Sequence, residues 1–468
     1  MTAVTRELAE FVARTSYDTL PAEVRERVKA LTLDLVGIML RARNEAESTG
    51  PMVAAAARLG MAGGACTVIG DSAGYAPPGA AMLNGTLAHS LDFDDTHATG
   101  SLHPSAPIAP AAFAAAEMTG ADGKSLIAAI VAGYEVQIRL SLALDPAAHY
   151  DRGFHPTATC GAFGAAAAAG RLLQLDPAGY ANAFGIVLSM AAGSMQFLVN
   201  GAWTKRSHVG HAAMCGLMAA TLAREGYKGA SEALEGKWGF LHAYAPAADA
   251  AKAVDGLGRR WETLKIAVKP YPSCRYGHAS IDGILDLARA HDIRAEEVEA
   301  VMVGLPEPGW KLIGDPEAAK QSPKNVVDGQ FSMAFCASVA LRTGGFVWDD
   351  YARHLGDAGV LALCKKVRTR VDPKVQAGFP AEMGGRVEIR TGRGTFETHV
   401  RVPKGEPANF LSAAELRAKF DGLAGPYLAA HRRDELAGAI LALEQAQDIG
   451  ALLRLTRPEH PQRIAAAR

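Results

Sequence analysis

Residues 84–105 read NGTLAHSLDFDDTHATGSLHPS, and alanine-rich segments with helical spacing flank them on both sides. A general acid–base site needs groups whose protonation states can be set apart by burial and by neighbouring charges. Three carboxylates and three imidazoles in one short stretch supply such groups, so we treat this stretch as the centre of a candidate site. Its titratable residues are His89, Asp92, Asp94, Asp95, His97 and His103.

The residues around this stretch, up to about position 268, predict a helical domain. Ser105 starts a helix that Gly120 ends, because a glycine commonly stops a helix at its C-terminus. Asp122 precedes a second apolar run, and Asp176 followed by proline is typical of a third helix start. The chain before position 268 is therefore expected to form a bundle of helices.

Two of these helices bear on the candidate site. Residues 161–173, GAFGAAAAAGRLL, are so rich in alanine and glycine that we expect this helix to contact other helices closely. If another helix spans residues 80–91, His89 and Asp92 lie one turn apart on one side of it. Asp92 would then stand where the helix gives way to a loop, able to face a cavity.

The composition changes near residue 269, where alternating and β-branched runs begin and predict strands. Residues 392–394 suit a hairpin turn, and helices are expected at 278–291 and 330–341. A chain that is helical, then mixed, then helical again indicates an insertion. We expect a helical domain of residues 1–268 and 406–468, and an α+β lid domain of residues 269–405. The strand runs are VEAVMVGLP, KVRTRVD, GRVEIRTG and TFETHVRV.

Composition and charge indicate a soluble, globular protein of two domains. The chain has 468 residues, of which 49% are hydrophobic and 21% charged, and its 48 basic and 49 acidic side chains give a net charge of -1. No long-range field therefore favours a nucleic acid or an anionic membrane as partner. An anionic substrate must be bound by local cations.

The cysteines and the N-terminus favour a cytoplasmic location. The six cysteines include no CxxC pair, which argues against a zinc knuckle and against a secreted disulfide framework. The first residues, MTAVTRELAEFVART, carry charges and do not resemble a signal peptide. We also see no run of the roughly 20 apolar residues that a membrane span needs.

Two His-Pro pairs supply candidate rings outside helices. His103 precedes Pro104, which keeps the histidine out of a helix and leaves its ring able to point into a cleft. His155 precedes Pro156 and the alanine-rich helix, whose first amides could bind an anion. His155 is therefore a candidate substrate-binding residue, although a purely structural turn is an equal alternative.

Residues 201–211, GAWTKRSHVGH, place four potentially cationic groups ahead of a predicted helix at 212–224. Cations at a helix N-terminus oppose the helix dipole, and a bound carboxylate would resolve that conflict. We take Lys205, Arg206 and His208 as candidate substrate contacts. The alternative is a basic surface turn.

Residues 268–278, VKPYPSCRYGH, form a second candidate loop, rigidified by two prolines near the expected domain border. Clefts between domains are favoured ligand sites. Cys274 could be a nucleophile, but no base is fixed beside it, and a buried thiol is the commoner case. The candidate binding residues here are Lys269, Ser273, Arg275 and His278.

A metal site is the main alternative to proton transfer at residues 84–105. Histidine and aspartate at these separations could bind zinc or iron. The chain has no HExxH pair, however, and the same mixture of side chains suits a proton-transfer centre. The residues alone leave both alternatives open.

These segments, in this order, resemble the MmgE/PrpD family, which includes 2-methylcitrate dehydratases, cis-aconitate decarboxylases and iminodisuccinate epimerases. The resemblance covers residues 84 to about 335. It rests on NGTLAHSLDFDDTH, HPS, GFHPTATCGAFGAAAAAGRLL, TKRSH, HAAMCGLMAATLA, KPYPSCRYGH and DGQFSMAF.

The resemblance implies a helical domain built from both ends of the chain, an inserted α+β lid and a homodimer. It also implies catalysis without a metal or an organic cofactor, on a small anionic carboxylate. By position in the family motifs, the catalytic residues would be Asp92, Thr96, His103, Lys205 and His278.

Two departures from the family pattern bear on the substrate. Several members have Gly-Thr-Met-Thr-Lys-Pro where this chain has Trp203 and Arg206, which add bulk and a second cation. Phe335 stands where a tyrosine often follows the Phe-Ser pair, so a hydroxyl is missing. Both changes leave the substrate open.

The resemblance and the residues together lead to a lyase that dehydrates a citrate-like acid, in the manner of 2-methylcitrate dehydratase. Epimerisation of iminodisuccinate and decarboxylation of cis-aconitate use related carbanion chemistry and are close alternatives. A non-catalytic ligand-binding protein of the same fold is the alternative from another class. Which histidine is the base and which the acid is left open by the sequence.

Overall fold

A computed structural model describes residues 3–458, and the chain divides into two compact units. The first unit consists of Met1–Ala267 and Ala413–Arg468, and the second of Val268–Ser412. The first is built mainly from helices and the second combines helices with a four-stranded sheet. The predicted fold class, mainly helical with an α+β second domain, is confirmed.

The helices of the first unit cover most of its length. They are Val4–Arg14, Ala22–Glu45, Thr49–Arg58, Pro77–Ala88, Ser105–Thr119, Gly123–Leu144, Pro146–Asp151, Pro156–Leu172, Pro177–Leu188, Thr204–Arg224, Phe240–Tyr244, Ala413–Ala424, Ala430–Leu441 and Ile449–Arg454. Two short antiparallel pairs join Ala62–Thr67 with Gly74–Tyr75, and Thr96–His97 with Ile266–Ala267.

The predicted helix starts and stops are confirmed where a side chain caps the helix. The Asp122 carboxylate accepts the Ser125 N–H at 2.8 Å, and the Asp176 carboxylate accepts the Gly179 N–H at 2.7 Å. Each aspartate satisfies one of the amides that a helix N-terminus leaves without a partner. Gly120 ends its helix at φ 62°, a conformation that glycine adopts without steric cost.

The alanine- and glycine-rich helix Pro156–Leu172 is enclosed by its neighbours, as expected. Of its residues only Arg171 is not fully buried. A Cβ placed on Gly164 would lie 2.5 Å from the Ile108 side chain and 2.6 Å from the Gly133 carbonyl oxygen. Only a residue without a side chain allows this approach, so the bundle is built around the small residues of this helix.

The helix before the candidate site is Pro77–Ala88, and it ends three residues before the expected limit at 91. The His89 ring hydrogen-bonds the Asp94 carboxylate, and Asp92 has a φ of 52°, which a right-handed helix does not permit. The expectation that His89 and Asp92 lie one helical turn apart was therefore wrong. The early end places His89 at the start of a loop.

Among the described residues, Gly123–Leu144 is the one helix with the length and apolar composition to cross a membrane. The expectation that no run reaches this length was therefore wrong for this helix. In the fold, 94% of its most apolar 18-residue window is buried within the protein. Central helices of soluble proteins meet the same criteria, so the helix by itself is weak evidence for a membrane.

The second unit contains a sheet in the order Val367–Val371, Val298–Leu305, Gly385–Thr391, Gly394–Val400. The first two strands are parallel and the other neighbours antiparallel, with the predicted hairpin between the last two. All four predicted strands are confirmed. The helices of this unit are His278–His291, Glu307–Gly309, Glu317–Lys320, Val326–Gln330, Met333–Thr343, Asp350–His354, Ala358–Cys364 and Pro373–Gly378.

Candidate active site

Four helix ends and one loop bring the candidate residues of the first unit together. His89 follows the helix Pro77–Ala88, and the loop after it carries the aspartates. His103 precedes the helix Ser105–Thr119, and His155 caps the helix Pro156–Leu172. The ring centroid of His89 lies 4.7 Å from that of His103 and 5.8 Å from that of His155. Three imidazoles that are distant in sequence thus form one cluster.

Asp94 lies between two of these imidazoles. Its Oδ2 atom is 2.8 Å from His89 Nδ1, which donates a hydrogen bond to it, and 3.1 Å from His103 Nδ1. The side chains of Asp94 and His89 are fully buried, whereas that of His103 is 15% exposed. Asp94 therefore connects a buried ring with one that retains access to solvent.

The electrostatics separate the two histidines. Burial lowers the pKa of His89 to about 4, against the opposing attraction of Asp94. Burial acts to raise the pKa of Asp94, but the nearby His103 and His89 outweigh it and hold that pKa well below its ordinary value. At neutral pH Asp94 is thus a carboxylate and His89 a neutral ring.

The two His-Pro turns are tied together by Gln137 and Thr157. The Gln137 amide donates to the carbonyl oxygens of His103, at 3.4 Å, and of Thr157, at 3.2 Å. The Thr157 hydroxyl accepts the His103 N–H at 3.3 Å. Gln137 is fully buried in the helix Gly123–Leu144, so a rigid core element sets the spacing of the turns that carry His103 and His155.

His155 and His208 extend the cluster of rings. Their centroids lie 5.7 Å apart, and the Phe197 ring lies about equally far from both, at 6.1 and 5.9 Å. Burial lowers the pKa of His155 well below its usual value, and it also lowers that of His208. The Nδ1 atoms of both rings are buried without a hydrogen-bond partner among the residues that the structure describes. These neutral rings can hydrogen-bond a substrate without adding charge.

Lys205 enters the site from the start of the helix Thr204–Arg224. Its ammonium nitrogen lies 2.8 Å from Asp92 Oδ1, and the side chains are 26% and 14% exposed. Asp92 has φ 52°, a conformation that costs a non-glycine residue of order 1–3 kcal/mol and persists only where the surroundings hold it. The ion pair joins two predicted catalytic residues that are 113 positions apart in the sequence.

Arg206 contacts a hydroxyl group of the protein, whereas its sequence position predicted a contact with substrate. Its guanidinium donates to the Ser48 hydroxyl at 3.2 Å, and burial lowers its pKa, while Glu47 and Asp92 act in the opposite direction. Trp203 is 44% exposed at the start of the same helix. A role for Arg206 in binding a carboxylate stays a prediction.

Three further polar residues of the loop, Thr96, His97 and Asp95, differ in whether their side chains are hydrogen-bonded. Thr96 is buried in the short strand Thr96–His97, and its hydroxyl has no hydrogen-bond partner within residues 3–458. His97 is hydrogen-bonded at both ring nitrogens, to Glu262 and to the Gly100 N–H. The Asp95 carboxyl accepts the Ser105 N–H at 3.0 Å and also bonds the Ser105 hydroxyl. The hydrogen bonds of His97 and Asp95 therefore shape the loop.

The predicted site residues after position 268 belong to the second unit. His278 begins the helix His278–His291, and its Nε2 lies 3.2 Å from the Ser273 carbonyl oxygen. Lys269 and Ser273 are buried. Arg275 forms a two-pronged ion pair with Glu406. The roles predicted for these four residues stay predictions.

Phe335 is fully buried in the core of the second unit, with its ring stacked on Tyr351 at 5.8 Å between centroids. The missing hydroxyl at this position is thus a feature of packing. No structural observation assigns Phe335 a contact with substrate.

The motif positions that the resemblance implies leave out Asp94, His89 and Gln137. The structure places Asp94 between the His89 and His103 rings, and Gln137 beside the His-Pro turns. The five-residue separation of His89 and Asp94 gives no regular helical or strand relationship, so no sequence pattern points to their contact. Gln137 lies in an ordinary apolar helix, and only the fold brings it to the His-Pro turns.

One group of side chains in the described part of the chain could hold a metal ion. It consists of His89, Asp94 and His103, whose ligand atoms lie within 4.8 Å of one another. A single Asp94 oxygen lies at hydrogen-bond distance from one Nδ1 of each histidine, which suits proton transfer. A metal would need these atoms to turn towards a common centre at about 2.0–2.2 Å. The arrangement favours an acid–base site.

Fold and site together define a helical protein with an inserted α+β unit and an imidazole–carboxylate site in its helical part. The MmgE/PrpD N-terminal domain matches residues 6–252, and the MmgE/PrpD C-terminal domain matches residues 271–445. This chain belongs to the MmgE/PrpD family.

Several relatives match over most of their length. The cis-aconitate decarboxylase-like protein oryM of Aspergillus oryzae is 29% identical over 484 aligned residues, which cover 97% of this chain and 98% of that protein. Cis-aconitate decarboxylase of Aspergillus terreus is 28% identical, with 97% and 95% covered. The human cis-aconitate decarboxylase is 26% identical, with 83% and 81% covered.

Proposed function

We propose that this protein is a lyase that removes carbon dioxide from a small unsaturated polycarboxylic acid of the cis-aconitate type. The observation that carries the proposal is the position of Asp94 between His89 and His103, beside the Lys205–Asp92 ion pair. This arrangement places a group that can transfer a proton beside a cation, and carbanion chemistry next to a carboxylate needs both. Similarity to cis-aconitate decarboxylases along 97% of the chain supports the choice of reaction.

In the proposed reaction, the bond between a carboxylate carbon and the substrate skeleton breaks and carbon dioxide leaves. The electron pair of that bond remains on the substrate and spreads over the adjoining double bond. The protonated ring of His103 then donates its proton to carbon, and the neutral ring regains a proton from solvent. Asp94 stabilises the imidazolium before the transfer, because its negative charge lies 3.1 Å from His103 Nδ1.

The remaining residues hold the substrate. The ammonium group of Lys205 is shared between Asp92 and a substrate carboxylate, and it stabilises the charge that develops as the bond breaks. The Nδ1 atoms of His155 and His208, which have no hydrogen-bond partner among the described residues, hydrogen-bond the other carboxyl groups. A substrate thus satisfies buried polar atoms that the protein leaves open.

The hydro-lyase reaction predicted from the sequence, dehydration of a citrate-like acid, is the second candidate. One observation favours it: the buried hydroxyl of Thr96 has no hydrogen-bond partner in the described part of the chain. Such a hydroxyl can orient a leaving hydroxyl group, which decarboxylation does not require. Both reactions proceed through an electron pair next to a carboxylate, so the same cation serves either.

The deciding experiment is to incubate the purified protein with cis-aconitate, citrate, 2-methylcitrate and iminodisuccinate. Release of carbon dioxide from cis-aconitate supports the proposal, and enoate absorbance from a citrate supports the second candidate. A change of chirality in iminodisuccinate alone would replace both with epimerisation. No turnover of any of the four acids would contradict all three reactions.

Substitutions test the assigned residues. His103→Ala and Lys205→Ala should each lower kcat by at least ~100-fold, the scale of general acid–base and charge-stabilising contributions. Lys265→Ala is the matched control, because Lys265 also pairs with a carboxylate, Glu262, at 3.0 Å. Its kcat should remain near wild type. A near-wild-type rate in His103→Ala or Lys205→Ala would remove that residue from the mechanism.

A further inference from the structure

A lysine that the mechanism does not use reaches the catalytic loop from the C-terminal part of the chain. Lys419 lies in the helix Ala413–Ala424, the first helix after the chain leaves the second unit. Its side chain is only 7% exposed, although a buried ammonium group is costly unless it is paired. The contacts of this ammonium group show what it stabilises.

The Lys419 ammonium group has two kinds of partner. Its nitrogen lies 2.6 Å from Asp34 Oδ1, in the middle of the buried helix Ala22–Glu45. It also donates to the Phe93 carbonyl oxygen at 3.2 Å and lies 3.8 Å from the centroid of the Phe93 ring. A cation that is paired with a carboxylate in the core and bonded to a peptide carbonyl connects that peptide to the core.

Phe93 stands between the two aspartates of the site. Asp92, before it, has φ 52° and pairs with Lys205, while Asp94, after it, faces His103. A left-handed aspartate persists only where neighbouring contacts over-determine it. Lys205 holds the Asp92 side chain, and Lys419 holds the next residue through its backbone and its ring. The orientation of the peptide after Phe93 sets the direction in which Asp94 points.

We propose that Lys419, paired with Asp34, is a positioning residue that holds Phe93 and thereby aims Asp92 and Asp94 in the catalytic site. In this role Lys419 acts on the reaction through Phe93 and the loop. The proposal rests on the proposed function for its kinetic consequence, because positioning matters to turnover only if the loop is catalytic. Its structural consequence, an ordered loop, is independent of the reaction.

A matched control, Lys29, lies on the helix Ala22–Glu45, which also carries Asp34. Lys29 is also 7% exposed at its side chain and pairs with Glu444 at 3.1 Å and with Glu26 at 2.7 Å. Like Lys419, it joins the helix Ala22–Glu45 to the C-terminal part of the chain. Both of these partners are carboxylates, and neither belongs to the catalytic loop, residues 89–97. A general effect of losing a buried lysine should therefore appear equally in Lys29→Met.

The first measurement is amide hydrogen exchange without substrate, followed by mass spectrometry of peptides that cover residues 89–97. Lys419→Met should raise exchange in these peptides at least ~3-fold, since a lost anchor lowers the free energy of local opening. Lys29→Met should leave them at the wild-type rate. The double variant Lys419→Met/Asp34→Asn removes both charges and covers the case in which an unpaired Asp34 prevents folding. Unchanged exchange in a folded variant would overturn the proposal.

The second measurement is steady-state kinetics with cis-aconitate. Lys419→Met, or the double variant, should lower kcat ~10–100-fold with KM changed less than ~3-fold, because a small misplacement of reacting groups acts on the transition state. Lys419→Arg should recover most of the loss, whereas Lys29→Met should keep the wild-type kcat.

The two measurements keep the two proposals apart. Wild-type protein that turns over none of the four acids contradicts the proposed function, and hydrogen exchange then still decides whether Lys419 holds the loop. Active wild-type protein with an equally active Lys419→Met variant contradicts the positioning role alone. A loss of kcat in Lys29→Met as large as in Lys419→Met would also overturn it, because the effect would then be general.

Discussion

Two buried histidine–carboxylate contacts lie within one loop, and they differ in how completely their polar atoms are satisfied. His97 donates from Nε2 to Glu262 at 3.2 Å and accepts the Gly100 N–H at Nδ1, while the second Glu262 oxygen pairs with Lys265. Around Asp94, by contrast, three buried atoms have no hydrogen bond of good geometry to any residue that the structure describes. These atoms are Asp94 Oδ1, His89 Nε2 and His103 Nδ1.

This difference distinguishes the contact that supports the loop from the contact that takes part in the reaction. Buried polar atoms are almost always hydrogen-bonded, so unsatisfied ones in a native fold need an explanation. A site that must bind a polar substrate has to leave donors and acceptors open until the substrate arrives. The His97–Glu262 contact leaves none, and it stabilises the fold. The Asp94 cluster leaves several, and it is where we place the reaction.

The largest expected effect is that of Asp94→Asn. A neutral amide cannot stabilise the imidazolium form of His103, so kcat should fall by about 10²–10⁴, the usual range for general acid–base catalysis. Release of carbon dioxide from cis-aconitate under saturating conditions measures it. Glu262→Gln changes the other histidine's carboxylate in the same way, and a comparable loss there would remove the distinction between the two contacts.

His278→Ala extends the comparison to the second unit and carries the next largest effect. If His278 moves a proton, as predicted from its motif, kcat should fall about 100-fold. His354→Ala is the control within the same unit, because His354 lies near a carboxylate, at 3.8 Å from Asp350, outside any predicted site. Equal rates in the two variants would show that His278 has no catalytic role.

Glu262→Gln should instead lower stability. Burial raises the pKa of Glu262, but the hydrogen bonds from His97 and Lys265 outweigh it and bring that pKa to about 2. A folded pKa below the unfolded value contributes stability above about pH 4.5 that is lost as the pH falls through 2. Losing the charge should reduce the free energy of unfolding by about 1–3 kcal/mol at pH 7, measured by urea denaturation. A stability equal to wild type would contradict the supporting role.

The smallest effect concerns Asp95, next to the catalytic carboxylate. Burial raises the pKa of Asp95 to about 8, with Asp94 adding to the rise and the Ser105 hydroxyl opposing it. The folded state then keeps a proton that the unfolded state releases, so wild-type stability falls as the pH rises from about 4 to 8. Asp95→Asn does not titrate. Its stability relative to wild type should therefore rise by at least ~1 kcal/mol between pH 5 and pH 8 in denaturation experiments. A difference independent of pH would show that Asp95 ionises normally.

Local patterns in the sequence predicted much of the secondary structure. Asp122, Asp176 and Gly120 act within one helical turn, so the sequence contains the partners that decide each boundary. The end of the helix Pro77–Ala88 was predicted less accurately, because it depends on the contact between the His89 ring and Asp94. A boundary set by a contact outside the helix cannot be read from helical periodicity.

The sequence by itself determined the fold class, the helix caps, the strand runs and the concentration of acid–base groups in residues 84–105. These depend on periodicity, on capping and on residue chemistry, which act over a few positions. Only the tertiary structure decided which of those groups form the site. It left the atoms around Asp94 unsatisfied, satisfied those of His97, and brought Gln137 and Lys419 to the loop. The physical reason is that hydrogen bonding and burial at each atom depend on partners up to hundreds of positions away, and only the folded chain brings them together.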